Sequence, residues 1–131
     1  MSREVTILVV DDDRDLCEAI SDVVELKSGY SAELAGTARE ALDIARRKTV
    51  AVALLDLTLP DMDGLDLLRE MKQVDSATAF IILSGHTSVE REVEAASAGA
   101  VSYLVKPSSP AELMEAIEEA LERRGGPPPS G

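Results

Sequence analysis

The sequence predicts an α/β fold: a three-layer α/β/α sandwich in which five helices cover both faces of a five-stranded parallel sheet. Two observations lead there. Short, continuously apolar runs recur along the chain and stop at turn or polar residues, the pattern of strands buried on both faces. Each run is followed by a stretch with apolar residues at helical spacing, and strands that alternate with helices imply right-handed crossovers onto a parallel sheet. At 131 residues the chain suits one domain with a real core.

The first strand is predicted at Val5 to Val10, ending on Asp11, Asp12 and Asp13. Asp13 can cap the helix that follows, where Leu16, Cys17, Ile20, Val23, Val24 and Leu26 recur until Ser28-Gly29 stops it. Ser31 to Ala35 is a weaker strand, placed near an edge. Thr37 with Glu40 three residues later forms a capping box. The helix it opens presents Ala38, Ala41, Leu42 and Ala45 on one face and ends in Arg46, Arg47 and Lys48, which suit its C-terminal dipole.

Val50 to Leu55 is the next run, six apolar residues leading to a single carboxylate, Asp56. After the loop of Pro60, Asp61, Asp63 and Gly64, a helix is predicted to about Gln73, with Leu65, Leu68 and Met71 facing inward. Ala79 to Leu83 is the fourth strand and reaches Ser84-Gly85-His86. The helix from about Ser88 to Ala98 carries Val89, Val93 and Ala96, and Gly99 closes it. Ala100 to Val105 is the fifth strand and runs into Lys106-Pro107. Pro110 occupies the first turn of the last helix, with Leu113, Met114, Ile117 and Leu121 as its stripe. Glu118, Glu119 and Glu122 form its solvated face. Beyond Arg124 the run G-G-P-P-P-S-G reads as a tail or the start of a linker.

Composition narrows the function. Aromatics are 2% of residues, so no stacking platform for single-stranded nucleic acid is available. The 25 acidic against 13 basic residues give a net charge of −12, which disfavours direct binding to phosphate backbones. A lone cysteine fits a reducing compartment. The chain shows no signal region and no membrane-length apolar run, so the expectation is a soluble, cytoplasmic domain without membrane contact.

A parallel sheet gathers its strand C-termini along one edge, where α/β folds place their chemistry. That edge would collect Asp11, Asp12, Asp56, Ser84 and Lys106. Converging carboxylates call for a hard divalent cation, and Mg²⁺ fits an oxygen donor set of this kind. Asp56 could then act as a nucleophile toward a phosphoryl group, with the cation, Lys106 and Ser84 neutralising its oxygens. Asp13, Asp61 and Asp63 are read as capping or loop acids, Cys17 as core, and Val89 and Val93 as inward-packing residues.

These motifs, strand-D-D, strand-D-x-x-x-P-x-x-D-G, strand-S-G and strand-K-P in this order, resemble the CheY-like receiver domain of two-component response regulators. The resemblance covers about Glu4 to Arg124 and implies a receiver domain over residues 1–124, with residues 125–131 as tail or linker. It implies the flavodoxin-like strand order 2-1-3-4-5. Asp56 matches the phosphoryl acceptor, supplied by a histidine kinase or a histidine phosphotransfer protein. Asp11 and Asp12 match the acidic pair that holds Mg²⁺ (with Mn²⁺ as a substitute), and Asp56 and the Thr58 carbonyl complete that set. Ser84 matches the switch hydroxyl, Lys106 the phosphate-pairing lysine and Tyr103 the aromatic switch. The Lys106–Pro107 bond matches one that is often cis. Thr58 and His86 match positions that tune hydrolysis.

The resemblance further implies a domain that catalyses only its own phosphorylation and dephosphorylation. Its output surface would comprise the fourth helix, fifth strand and fifth helix, facing an effector domain or protein or a second copy of the phosphorylated chain. Two departures stand out: Ser108 follows Lys106-Pro107 where many relatives carry Phe, and Ala100-Val101-Ser102 lacks the acidic pair through which transcription regulators dimerise on this face. A dehalogenase-type phosphohydrolase would want an acid at position 58, where Thr stands. A flavin carrier would want Ser, Thr or Gly where Asp11-Asp12-Asp13-Arg14 stands.

Overall fold

A computed structural model describes residues 4–85 and 88–123. Its elements are β1 (Val5–Val10), α1 (Arg14–Glu25), β2 (Tyr30–Ala35), α2 (Ala38–Arg47), β3 (Val52–Leu55), α3 (Gly64–Val74), β4 (Ala79–Ser84), α4 (Val89–Ala98), β5 (Ala100–Val105) and α5 (Pro110–Arg123). The five strands form one sheet in the order β2-β1-β3-β4-β5, and every neighbouring pair is parallel. This is the flavodoxin-like arrangement that the sequence predicts.

Side-chain alternation explains why the central strands read as unbroken apolar runs. Leu8 and Val10 of β1, Ala53 and Leu55 of β3, and Phe80 and Ile82 of β4 join α2, α3 and α4 in one core. Their neighbours Ile7, Val9, Val52, Leu54, Ile81 and Leu83 join α1 and α5 in the other. Both faces are covered, so neither parity needs a polar residue. The edge strands differ: most of β2 and β5 is only half-buried.

Helix ends follow their capping chemistry. Asp13 accepts from the Leu16 amide at 3.1 Å, Thr37 from Glu40 at 3.1 Å and Asp63 from Leu65 at 2.8 Å. The Thr37 half of the predicted box forms as expected, and only its return bond is displaced by a residue: the Glu40 carboxylate accepts from the Gly36 amide at 3.3 Å, not from that of Thr37. A reciprocal box absent from the sequence expectations opens α5: Glu112 N donates to Ser109 Oγ at 3.1 Å, and Ser109 N donates to Glu112 Oε1 at 3.2 Å.

The structure corrects several inward assignments. In α4, Val89 and Val93 are 76% and 59% exposed, Ala96 is exposed as well, and Ala95 is the buried residue. A stripe at helical spacing has no intrinsic direction. Here the helix turns its small residue Ala95 to the core and the valines outward. Leu26 caps α1 and is exposed, beyond the reach of the sheet. In α5 the buried line is Leu113, Ala116, Ile117 and Ala120, with Met114 and Leu121 flanking it half-buried. The expected inward faces of α2 and α3 gain Ile44 and Leu67. Among the described residues, no helix is long and apolar enough to cross a membrane. His86 and the tail at 125–131 lie outside the described residues.

Candidate functional site

Each ladder of the sheet continues past its strand end and fixes the residue that follows. Asp11 N donates to Ala35 O at 3.0 Å, Asp56 N to Val10 O at 3.0 Å, and Lys106 N to Ser84 O at 2.8 Å. Asp11, Asp56, Ser84 and Lys106 therefore stand along one edge by backbone hydrogen bonding, before any side chain contributes. Asp12, Asp11 and Asp56 each offer a carboxylate oxygen within 4.8 Å of the others. Asp11 is 4% and Asp56 8% exposed, whereas Asp12 faces solvent.

Lys106 supplies the opposing charge. Its Nζ lies 2.5 Å from Asp11 Oδ2 and 3.5 Å from Asp56 Oδ2. Burial pulls the ammonium's pKa down, but the hydrogen bond to Asp11 and the charge of Asp56 outweigh it, and the net shift is upward. For Asp56 burial dominates in the other sense: it raises the carboxyl's pKa, with Lys106 opposing and Asp11 assisting. Asp56 Oδ1 also accepts from the Thr58 amide at 3.3 Å. The site is thus an acid cluster only partly offset by one ammonium, with room for further positive charge. Its donors are carboxylate oxygens, the hard set suited to Mg²⁺.

The loop after β3 folds back on itself. Thr58 and Asp63 pair in an isolated antiparallel bridge, and Gly64 N donates to Leu57 O at 2.8 Å. Asp61 leaves the cluster altogether and accepts from the Ala38 and Arg39 amides at the start of α2, at 2.9 and 3.1 Å. Asp13 and Asp63 are helix caps, as the sequence suggests. Cys17 is buried, its Sγ 3.3 Å from Asp11 O, and burial pushes its pKa up to about 11.

Beside the carboxylates lies a recess of about 390 Å³ lined by Thr58, Met62, Asp63, Ser84, Arg91 and Tyr103, among others. Ser84 is buried and Tyr103 half-buried there. The Lys106–Pro107 peptide is cis. The structure thus brings Asp11, Asp12, Asp56 and Lys106 together, and sets Thr58, Ser84 and Tyr103 around the adjoining recess. The sequence marks Gly64 only as the end of the D-x-x-x-P-x-x-D-G motif, with no role of its own, and it gives no sign of Arg91, whose partner Asp63 is 28 residues away.

Comparison with known proteins agrees with this geometry. Residues 7–118 match the family described as the response regulator receiver domain. The chain is similar to the transcriptional regulatory protein ZraR of Salmonella typhimurium, 37% identical over 118 residues, 90% of this chain and 26% of that protein. It is similar also to the response regulator protein TodT of Pseudomonas putida, 35% identical over 120 residues, 92% of this chain and 52% of that protein. The chain thus spans between a quarter and about half the length of these curated relatives. Among solved structures, a CheY-like receiver domain protein of Methanospirillum hungatei superposes with a TM-score of 0.86 at 35% identity, covering 92% of this chain and 95% of that one. The BeF3-activated DrrB receiver domain gives 0.83 at 28% identity, covering 92% and 99%.

Proposed function

The chain belongs to the response regulator receiver domain family of two-component signalling, and from that premise we propose that Asp56 is its phosphoryl acceptor. The donor is a phosphohistidine on a histidine kinase or histidine phosphotransfer protein. The observation that carries this reading is the placement of the Asp56 carboxylate 3.5 Å from Lys106 Nζ, within an acid cluster that includes Asp11 and Asp12. A bond forms between Asp56 Oδ and phosphorus, the donor's P–N bond breaks, and its electron pair returns to the imidazole. Water later cleaves the acyl phosphate, releasing inorganic phosphate and restoring the carboxylate. The domain catalyses only these two steps on itself.

Asp11, Asp12, Asp56 and the Thr58 carbonyl would hold Mg²⁺, for which Mn²⁺ can substitute. When bound, the cation supplies positive charge for the phosphoryl oxygens. Lys106 pairs with one of those oxygens and the Ser84 hydroxyl donates to another. Thr58 flanks the group and, with His86, tunes how readily water reaches it.

Phosphorylation replaces a carboxylate by a group of about −1.5 to −2 charge with three acceptor oxygens. Ser84 turning toward that group makes way for Tyr103 to move inward, into the recess the two residues share. The surface of α4, β5 and α5 changes with it, as a shift between two packings. Val89 and Val93, exposed on α4, are suited to be read by a partner there. The partner would be an effector domain or protein, and the greater length of ZraR and TodT supports such an effector. A second phosphorylated copy is a further occupant. The receiver unit is assigned to residues 1–124, with 125–131 as tail or linker.

Intact-mass measurement with acetyl phosphate tests the reading. One PO₃ should be gained in Mg²⁺ and none in excess chelator. Equal labelling in both conditions would contradict it.

A further inference from the structure

We infer that Arg91 is a positioning residue: by holding α4 to Asp63 it fixes the resting placement of that helix, and so sets how readily the domain switches. The inference rests on the receiver reading given above.

The starting point is how α4 is attached. A single residue, Ala95, is buried, while the large apolar side chains Val89 and Val93 face solvent. Little hydrophobic area holds this helix, so its placement depends more than that of its neighbours on polar contacts. Those contacts run along α3. Arg91 Nη2 lies 2.9 Å from Asp63 Oδ2, while its Nη1 lies 2.9 Å from Glu94 Oε1 on α4 itself. Arg69 of α3 reaches Glu94 at 4.0 Å. At the far end the Lys72 side chain crosses the Gly99 cap so closely that a Cβ at Gly99 would lie 2.3 Å from its Nζ.

The Arg91 contact differs from the others in its location. Asp63 caps α3 and pairs with Thr58, two residues beyond Asp56. One guanidinium therefore joins α4 to the loop that follows the acceptor. It also lines the recess that contains Ser84 and Tyr103. Both members of the pair are partly exposed, so the contact is weak enough to break. A new polyanionic group at Asp56 offers the guanidinium a competing partner, since phosphoryl oxygens attract arginine strongly. Losing Asp63 frees the first turn of α4, and the helix then follows Tyr103 into the alternative packing.

The full chain with Arg91→Ala and Arg91→Lys tests this. Amide exchange across Val89–Ala98 in the unphosphorylated protein should rise roughly threefold in Arg91→Ala, the scale of one exposed ion pair, with α1 and α5 unchanged. The α4 and β5 resonances of that variant should move along the line joining the wild-type free and acetyl-phosphate-treated positions. Arg91→Lys should recover much of both effects. Faster exchange with no movement along that line would reduce Arg91 to a stabilising contact and overturn the inference. A wild type that takes no phosphoryl group would overturn the functional reading and the inference with it. A normally labelled wild type, beside an Arg91→Ala variant at the free positions, would overturn the inference alone.

Discussion

Gly64 lies against the backbone of Asp56: a Cβ at Gly64 would stand 2.2 Å from the Asp56 carbonyl oxygen and 2.8 Å from Leu57 Cα. The obstacle is main chain, which cannot rotate away as a side-chain tip can. The first residue of α3 and the acceptor strand are thereby held at a distance only glycine permits.

Gly64→Ala should therefore destabilise the domain by about 1–3 kcal/mol, the usual cost of overpacking. It should also lower acetyl-phosphate labelling of the folded fraction, because relief requires moving the Asp56 backbone. Urea unfolding and intact-mass labelling measure the two effects separately.

Lys106→Met removes the ammonium shared by Asp11 and Asp56. Fully buried pairs lose about 3–5 kcal/mol when one partner is deleted; with Lys106 22% exposed, a loss of about 2 kcal/mol is expected in chelator. Added Mg²⁺ should recover part of that stability by neutralising the same carboxylates. Labelling should slow about a hundredfold, on the scale of losing one charge-stabilising donor. Urea titrations with and without Mg²⁺, together with labelling rates, check this.

Asp61 gives a pH signature. The Ala38 amide, then the Arg39 amide, hold its pKa below the usual carboxylate value. With the folded pKa depressed, its contribution to stability is present above the unfolded value of about 3.9 and is lost as pH falls through the folded pKa. Asp61→Asn should be less stable than wild type at neutral pH, and the difference should shrink below about pH 4. Thermal melts at a series of pH values measure it.

The strand-end residues were legible because parallel β topology does most of the placing. Once Val5–Val10, Val52–Leu55 and Ala100–Val105 are strands of one parallel sheet, Asp11, Asp56 and Lys106 must share an edge. Contacts between loops and distant helices were not legible in this way. Asp61 on the α2 amides and Arg91 on Asp63 join residues 22 to 28 apart, and no local pattern encodes such a pairing. The orientation of α4 failed for a related reason. Val89 and Val93 mark a face by period alone, and period does not say which face turns inward; in the structure it is the face of Ala95.

The central claim, that Asp56 takes up the phosphoryl group, is tested most directly by trapping. Protein labelled with acetyl phosphate and Mg²⁺ is reduced with borohydride, which converts an aspartyl phosphate to homoserine, and the peptides are sequenced by mass. Homoserine at position 56, absent without acetyl phosphate and absent from Asp56→Asn, is the predicted result. Homoserine at Asp11 or Asp12, or none at any position in protein that has gained a phosphoryl mass, would contradict it.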